Sequence, residues 1–244
     1  MTTDGPPVIV EDLARLAAHA LTVLPEPSTR ALRIGLGSGR AAAAFIRALG
    51  GRVGAGLRAC GVPTSEATAT LAREVGIPLA ELDRNLLDLT VDGADEVDPA
   101  LNLVKGYGGA LVRERIVAAA SRRQVILVTA DKLVPRLGTR GRLPVEVVPF
   151  GRPLCERRLE ALGCRPRLRE TDGRPFVSDN GNLILDCAIE PPDDPAAVDA
   201  EIRRIPGVVD TGFFFGTADT VLVAEAGRVR TLDRVASAAS RRSE

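Results

Sequence analysis

Between residues 31 and 129 short apolar runs alternate with helix-patterned ones, and this alternation restricts the fold more than any other feature of the chain. Ala31 to Ile34 is apolar; the glycine turn GLGSGR, Gly35 to Arg40, and an alanine-rich helix reaching about Leu49 follow it. Val53 to Cys60 reads as a second strand, and in PTSEATATLAREVG either Thr64 or Ser65 caps a helix that stops at Gly76. A third strand is expected from Leu86 to Val91, a helix from Ala110 to Ser121, and a fourth strand from Gln124 to Thr129. Strands separated by crossover helices run parallel. The expected fold is therefore α/β: a doubly wound, mostly parallel, Rossmann-like sheet with helices on both faces and ligands at the carboxyl ends of its strands.

The flanks fit this frame. Leu13, Leu16, Ala17, Ala20, Leu21 and Leu24 recur at helical spacing before Pro25 and Pro27 stop the run. After Lys132 the texture changes, and Pro135, Pro144, Pro149 and Pro153 punctuate short apolar runs. A helix near Pro153 to Leu162, a strand near Arg165 to Arg169, the Asn180-Gly181 turn before an apolar run, and a helix near Pro195 to Arg204 suggest an α+β insert. Residues 141–207 are read as this smaller domain, set into an α/β domain of residues 1–140 plus 208–244. Strands in the final segment rejoin the first sheet.

Composition removes several classes of function. Lys plus Arg and Asp plus Glu number 32 each, so there is no basic field for nucleic acid, and 3% aromatic residues with no Trp leave no base-stacking platform. Cys60, Cys155, Cys164 and Cys187 are scattered and the single histidine, His19, stands alone on its helix, so no metal site is expected. No apolar run approaches the ~20 residues of a membrane span, and no leader pattern is present at the N-terminus. The expectation is a soluble, cytoplasmic protein with reduced thiols and no cofactor.

Chemistry concentrates in residues 89–114, LTVDGADEVDPALNLVKGYGGALVRE. Asp92, Asp95, Glu96 and Asp98 crowd one strand end, where mutual repulsion raises carboxyl pKa values unless a cation compensates, and Lys105 is the nearest cation. Gly106, Gly108 and Gly109 lead into the next helix, on which Glu114 has the apolar neighbours Ala110, Leu111, Val117 and Ala118. Arg113 and Arg115 have apolar neighbours too, so this pattern does not single Glu114 out. The GLGSGR turn aims backbone N–H groups and a helix N-terminus at an anion, though a plain tight turn fits the same residues. It is neither GxGxxG nor a P-loop, so neither a nicotinamide nucleotide nor a nucleoside triphosphate is indicated.

GLGSG, PTSEAT, DLTVDGADEVDPALNLVKGYGGALVRERIV, VTADKLV, PVEVVPFG, SDNGNLILDC and IPGVVDTGFF, in this order, resemble the A-type ribose-5-phosphate isomerase family. The resemblance covers nearly all of the chain after about residue 30. It implies metal-free, nucleotide-free interconversion of D-ribose 5-phosphate and D-ribulose 5-phosphate through an enediol, in a doubly wound domain with a small ferredoxin-like lid. It also implies a homodimer or homotetramer. Carried over by position, Glu114 matches the general base, Asp92 and Lys105 the groups for ring opening and enediolate charge, and Asp95 a contact to substrate hydroxyls. Ser38, Gly39, Arg40, Ala41, Gly93, Ala94, Gly106, Tyr107, Gly108 and Lys132 match substrate-binding positions.

Three departures stand out. The family's GTGST loop is Gly37-Ser38-Gly39-Arg40-Ala41, which loses two hydroxyls and gains an arginine; a lysine near the family's N-terminus has no counterpart in residues 1–30; and the usual KGGG is Lys105-Gly106-Tyr107-Gly108, which puts a bulky side chain beside the expected phosphate. Arg40 either replaces the lost phosphate contacts or points to solvent. An isomerase for another phosphorylated aldose and a non-catalytic sugar-phosphate sensor are the alternative functions. A sensor has no need of Glu114 and normally carries a DNA-binding segment.

Overall fold

The computed structural model describes residues 7–26 and 30–234. Pro27 and the final stretch assigned to the α/β domain, 235–244, lie outside the described residues, as do residues 1–6. The chain opens with α1 (Pro7–Thr22), β1 (Leu32–Leu36), α2 (Arg40–Gly54), β2 (Ala59–Pro63) and α3 (Glu66–Glu74). Next come β3 (Leu89–Gly93), β4 (Glu96–Val97), β5 (Leu103–Val104), α4 (Leu111–Ala119) and β6 (Gln124–Thr129). Then follow β7 (Arg142–Val147), α5 (Arg152–Ala161), β8 (Arg165–Leu168), β9 (Glu170–Thr171), β10 (Arg174–Pro175), β11 (Leu183–Ala188) and α6 (Pro195–Arg203). The last elements are β12 (Val208–Thr211), β13 (Phe213–Phe214), β14 (Thr220–Glu225) and β15 (Arg228–Asp233).

Six strands form the main sheet in the order β15-β14-β6-β3-β1-β2, parallel except for the antiparallel edge strand β15. The fold is the expected α/β, Rossmann-like one. One face of its inner strands is apolar and covered by helices: Leu32, Ile34, Leu36, Leu89 and Val91 pack against Leu16, Phe45, Ile46 and Leu49 of α1 and α2. Chain order reverses at β1, which has β2 on one side and β3 on the other, so the loops after β1 and β3 border a crevice at the topological switch point.

A second sheet, β12-β7-β11-β8, is antiparallel throughout, and α5 and α6 close a core of Val145, Val147, Leu159, Leu185 and Ile202 over it. Cys155, Cys164 and Cys187 are buried in that core as free thiols, and Cys60 is half-buried. A ribbon of β13, β5 and β4 stands between the two sheets in sequence connection, with Phe213 and Phe214 fully buried.

Four expectations change. Val53 belongs to α2, which runs on to Gly54, and the second strand is Ala59–Pro63. Gly50 permits this, since a Cβ there would stand 2.6 Å from the Val75 carbonyl, so α2 lies hard against the end of α3. The third strand begins at Leu89 and includes Asp92, while Leu86 is exposed. Of the final strands only β14 and β15 rejoin the main sheet; β12 pairs with β7.

The fourth concerns β7, an inner strand despite Pro144, a residue that ordinarily marks an edge. The Gly212 N–H donates to the Pro144 carbonyl at 2.8 Å, but Pro144 has no N–H to return. The Gly212 carbonyl takes the Lys105 N–H instead, at 2.9 Å.

Candidate active site

At the switch point Leu36 lies in register with Val91, so Gly37 and Asp92 come side by side. A Cβ on Gly37 would stand 2.2 Å from Asp92 Oδ1, so only glycine lets the two strand ends meet. Asp92 Oδ1 accepts from the N–H groups of Ser38 at 3.1 Å and Gly93 at 2.7 Å. Gly37→Ala should therefore push the Asp92 carboxylate off its partners. We expect stability to fall by ~1–3 kcal/mol in thermal denaturation, as for other overpacked sites, with a larger fractional loss of kcat than of Tm.

The turn after β1 is held from the other side by hydroxyls. Ser38 Oγ lies 2.9 Å from Thr64 Oγ1, 2.8 Å from Ser65 Oγ and 3.2 Å from Thr68 Oγ1. Ser65 is the cap of α3, accepting from the Thr68 N–H at 3.1 Å. Capping and loop support thus reside in the same residue. Gly39, with φ +89°, precedes α2, whose N-terminus has no side-chain cap and opens to the crevice.

The centre of the site is Lys105. It follows β5, is 2% exposed, and its Nζ contacts Asp92 Oδ2 at 2.9 Å, Glu114 Oε2 at 3.3 Å and the Gly93 carbonyl at 2.6 Å. Glu114 comes from the first turn of α4 and is buried on the same face as Leu111, Val117 and Ala118, while its neighbours Arg113 and Arg115 are only partly buried. Burial pulls the Lys105 ammonium down, but the charges of Asp92 and Glu114 outweigh it and hold the pKa above the ordinary lysine value. Burial, reinforced by Asp92, pushes Glu114 up to about 8 against the opposing pull of Lys105. One ammonium between two buried carboxylates neutralises only one of them, which favours the protonated form of Glu114.

The four acids of the DGADEVD run part ways. Asp92 stands behind Lys105. Asp95 lines the crevice, accepts from the Tyr107 N–H at 3.0 Å, and has a pKa raised by burial. Glu96 is fully buried and accepts from the N–H groups of Gly138 at 2.6 Å and Arg140 at 2.7 Å, which is a structural use. Asp98 closes its own turn, accepting from the N–H groups of Ala100 and Asn102.

Asp95, Lys105 and Glu114 border a cleft of about 170 Å³. A dry cavity of ~150 Å³ holds a benzene-sized molecule, so the cleft suits a small polar ligand and is too small for a dinucleotide. Ser38, Gly39, Arg40 and Ala41 line one side; Gly93, Ala94, Asp95, Lys105, Gly106, Gly108 and Glu114 line the floor and opposite wall; Thr129 and Lys132 complete the mouth. Arg40 is exposed and makes no ion pair among the described residues, and Lys132 Nζ lies 4.0 Å from Asp131. The Tyr107 ring does not line the cleft. It packs on the core of the second sheet under the Arg142 guanidinium, 4.7 Å away, and its hydroxyl donates to the Arg142 carbonyl at 3.2 Å. The expected bulk beside a phosphate is therefore absent, because Gly106, with φ +97°, turns the next side chain away.

The family model for ribose 5-phosphate isomerase A (phosphoriboisomerase A) matches residues 60–228. The chain belongs to the ribose 5-phosphate isomerase A family. It is 53% identical over 214 residues to the ribose-5-phosphate isomerase A of Roseiflexus sp. (strain RS-1), covering 86% of this chain and 90% of that one. The corresponding Thermomicrobium roseum protein is 53% identical over 204 residues, covering 82% and 86%. Among solved structures, ribose 5-phosphate isomerase A from Methanocaldococcus jannaschii superposes with a TM-score of 0.86 at 37% identity, covering 92% of this chain and 99% of the other. A D-ribose-5-phosphate isomerase in complex with phospho-erythronic acid superposes with a TM-score of 0.87 at 36% identity and the same coverage.

Residues that sequence reading missed lie around the isomerase family's K-G-x-G loop. Arg169 donates to the carbonyls of Gly106 at 3.0 Å and Tyr107 at 3.1 Å, and Asp186 pairs with both Arg169 and Arg142. Phe214 lies beneath the Arg115 guanidinium at 3.9 Å and within 5.8 Å of Lys105 Nζ. Arg169, Asp186 and Phe214 are 60 or more positions from the loop in sequence, and no local pattern signals them.

Proposed function

We propose that the chain interconverts D-ribose 5-phosphate and D-ribulose 5-phosphate through an enediolate. The observation that carries this reading is the buried triad of Lys105 between Asp92 and Glu114, with Lys105 and Glu114 facing a cleft that the glycine loop and the N-terminus of α2 also border. A 1,2-proton shift needs one base to take a proton from C2 and return it to C1, and a cation beside the oxygens that gain charge. Glu114 is the base and Lys105 the cation. Asp92, whose oxygens are occupied by Lys105 and two backbone N–H groups, acts by orienting Lys105, and Asp95 accepts from substrate hydroxyls. The phosphate sits at the α2 N-terminus, where dipole and free N–H groups favour an anion, between Arg40 and Lys132.

Conversion of ribose 5-phosphate, followed directly in the presence of chelator, tests the function; an inactive purified protein would overturn it. Arg40→Ala tests the phosphate assignment. A charge-assisted hydrogen bond contributes ~1.5–3 kcal/mol, so KM should rise about tenfold or more while kcat changes little. An unchanged KM would leave Arg40 a solvent-facing side chain.

The same reading assigns residues 141–207 as a ferredoxin-like lid on the α/β unit of 1–140 and 208–244. Its SDNGN turn supports this, since Asp179 accepts from the Glu66 N–H at 2.8 Å and Arg113 donates to Asn180 at 3.0 Å near the cleft. A cytoplasmic location agrees with four free thiols and with no described helix long and apolar enough to cross a membrane. A homodimer or homotetramer agrees with Phe150, 98% exposed beside exposed Val148. Sedimentation showing a monomer at working concentration would remove that part.

A further inference from the structure

We propose that Arg169, just past β8 in the smaller sheet, is a positioning residue for the isomerase reaction: it orients the peptide between Tyr107 and Gly108 so that the Gly108 N–H faces the substrate. The inference rests on the function proposed above and adds a determinant outside the residues that line the cleft.

The loop 105–109 is the connection between Lys105 and the helix that carries Glu114. Its peptides are trans, so each carbonyl points opposite to the following N–H. Arg169 Nη1 holds the Gly106 and Tyr107 carbonyls on the side of the smaller sheet. The two N–H groups that follow, those of Tyr107 and Gly108, are thereby directed the other way. The Tyr107 N–H is taken by Asp95, on the cleft wall. The Gly108 N–H has no partner among the described residues, and Gly108 lines the cleft. A preset backbone donor beside Lys105 is what a developing enediolate oxygen requires.

The clamp is itself rigid. Arg169 is 9% exposed, and its guanidinium is held by Asp186, Nε to Oδ2 at 2.9 Å and Nη2 to Oδ1 at 2.5 Å. Asp186 is fixed in turn by two bonds from Arg142, at 2.9 and 2.7 Å. Asp186 still has Arg142 as its ion-pair partner when Arg169 is replaced, so no carboxylate is left unpaired in the smaller sheet. The Gly106 carbonyl also accepts from the Gly109 N–H at 3.0 Å and the Tyr107 N–H stays on Asp95, so loss of Arg169 frees the peptide between Tyr107 and Gly108 while the rest of the turn holds. A lysine reaches either Asp186 or the carbonyls with a single ammonium, and so replaces the fork only in part.

The test compares Arg169→Met, Arg169→Lys and, as a control on the same sheet, Arg165→Gln, whose side chain is 71% exposed. Misplacing reacting groups by about 1 Å costs up to ~10²-fold. In Arg169→Met, kcat for ribose 5-phosphate should fall ~10–100-fold with KM changed less than about threefold; Arg169→Lys should recover part of the loss and Arg165→Gln should match wild type. The Gly108 amide resonance should shift on adding phospho-erythronic acid to wild type, and that shift should shrink in Arg169→Met. An active wild type with kcat unchanged in Arg169→Met, or the same Gly108 response in both proteins, overturns the inference. If Arg169→Met does not fold, Arg169→Lys decides by the same two readouts. An inactive wild type would overturn the proposed function instead, and the Gly108 response would still judge the role of Arg169.

Discussion

Glu114→Gln should lower kcat by at least ~10²–10⁴-fold, the usual contribution of a positioned general base, while leaving the fold intact. Gln keeps the size of the side chain and resembles the protonated carboxyl, which burial and Asp92 already favour at neutral pH. Only the unprotonated form can take the C2 proton. In the unliganded wild type, kcat/KM should therefore rise with pH along a limb centred near 8, and the Gln variant should lack that limb. Stability should move in the opposite sense. The carboxyl titrates near 4.5 when unfolded and near 8 when folded, so the folded state holds the extra proton between these values. Its contribution is fully present below about 4.5 and is lost as pH rises to about 8, at up to ~1.4 kcal/mol per pH unit. Relative to wild type, the Gln variant should gain Tm across this window and hold the gain above it. A pH-independent difference in Tm would mean that Glu114 is not protonated in the folded protein.

Lys105→Met should do the greatest damage to stability. The substitution conserves length but leaves Asp92 buried with only two N–H donors, those of Ser38 and Gly93. Removing one partner of a buried ion pair costs ~3–5 kcal/mol. For a chain of this size that corresponds to a Tm lower by roughly 6–20 °C. Loss of the cation beside the enediolate should lower kcat by a further ~10²–10³-fold in whatever fraction is folded. A Tm within a degree of wild type would show that Asp92 is neutral or solvated, contrary to its burial.

Elements with a strong local signal were readable in advance. The strand Gln124–Thr129 and the helix after Gly109 sit where periodicity and glycines put them, and Asn180-Gly181 does precede a strand. Errors arose where tertiary contact overrides local pattern: Val53 extends α2 because Gly50 packs against Val75, and Pro144 occupies an inner strand because a neighbouring segment uses its partner carbonyl. The site shows the same division. Asp92, Asp95, Lys105 and Glu114 lie within one short segment and stand out by type, but nothing local says that Glu96 and Asp98 serve backbone N–H groups instead. Nor does any spacing place the Tyr107 ring under Arg142.

The donor that Pro144 lacks has a mechanical consequence. Gly212 lies between β12, in the four-stranded sheet, and β13, in the ribbon that carries Lys105. Its N–H is tied to Pro144 and its carbonyl to the Lys105 main chain, so one residue serves as a rivet through both layers. Rocking of the smaller sheet would reach Lys105 as a displacement of its backbone, with no slack at the joint. Glu114 is coupled to the same sheet, because its neighbour Arg115 on α4 pairs with Asp210 and donates to the carbonyls of Thr211 and Phe213, so ammonium and carboxylate would move together.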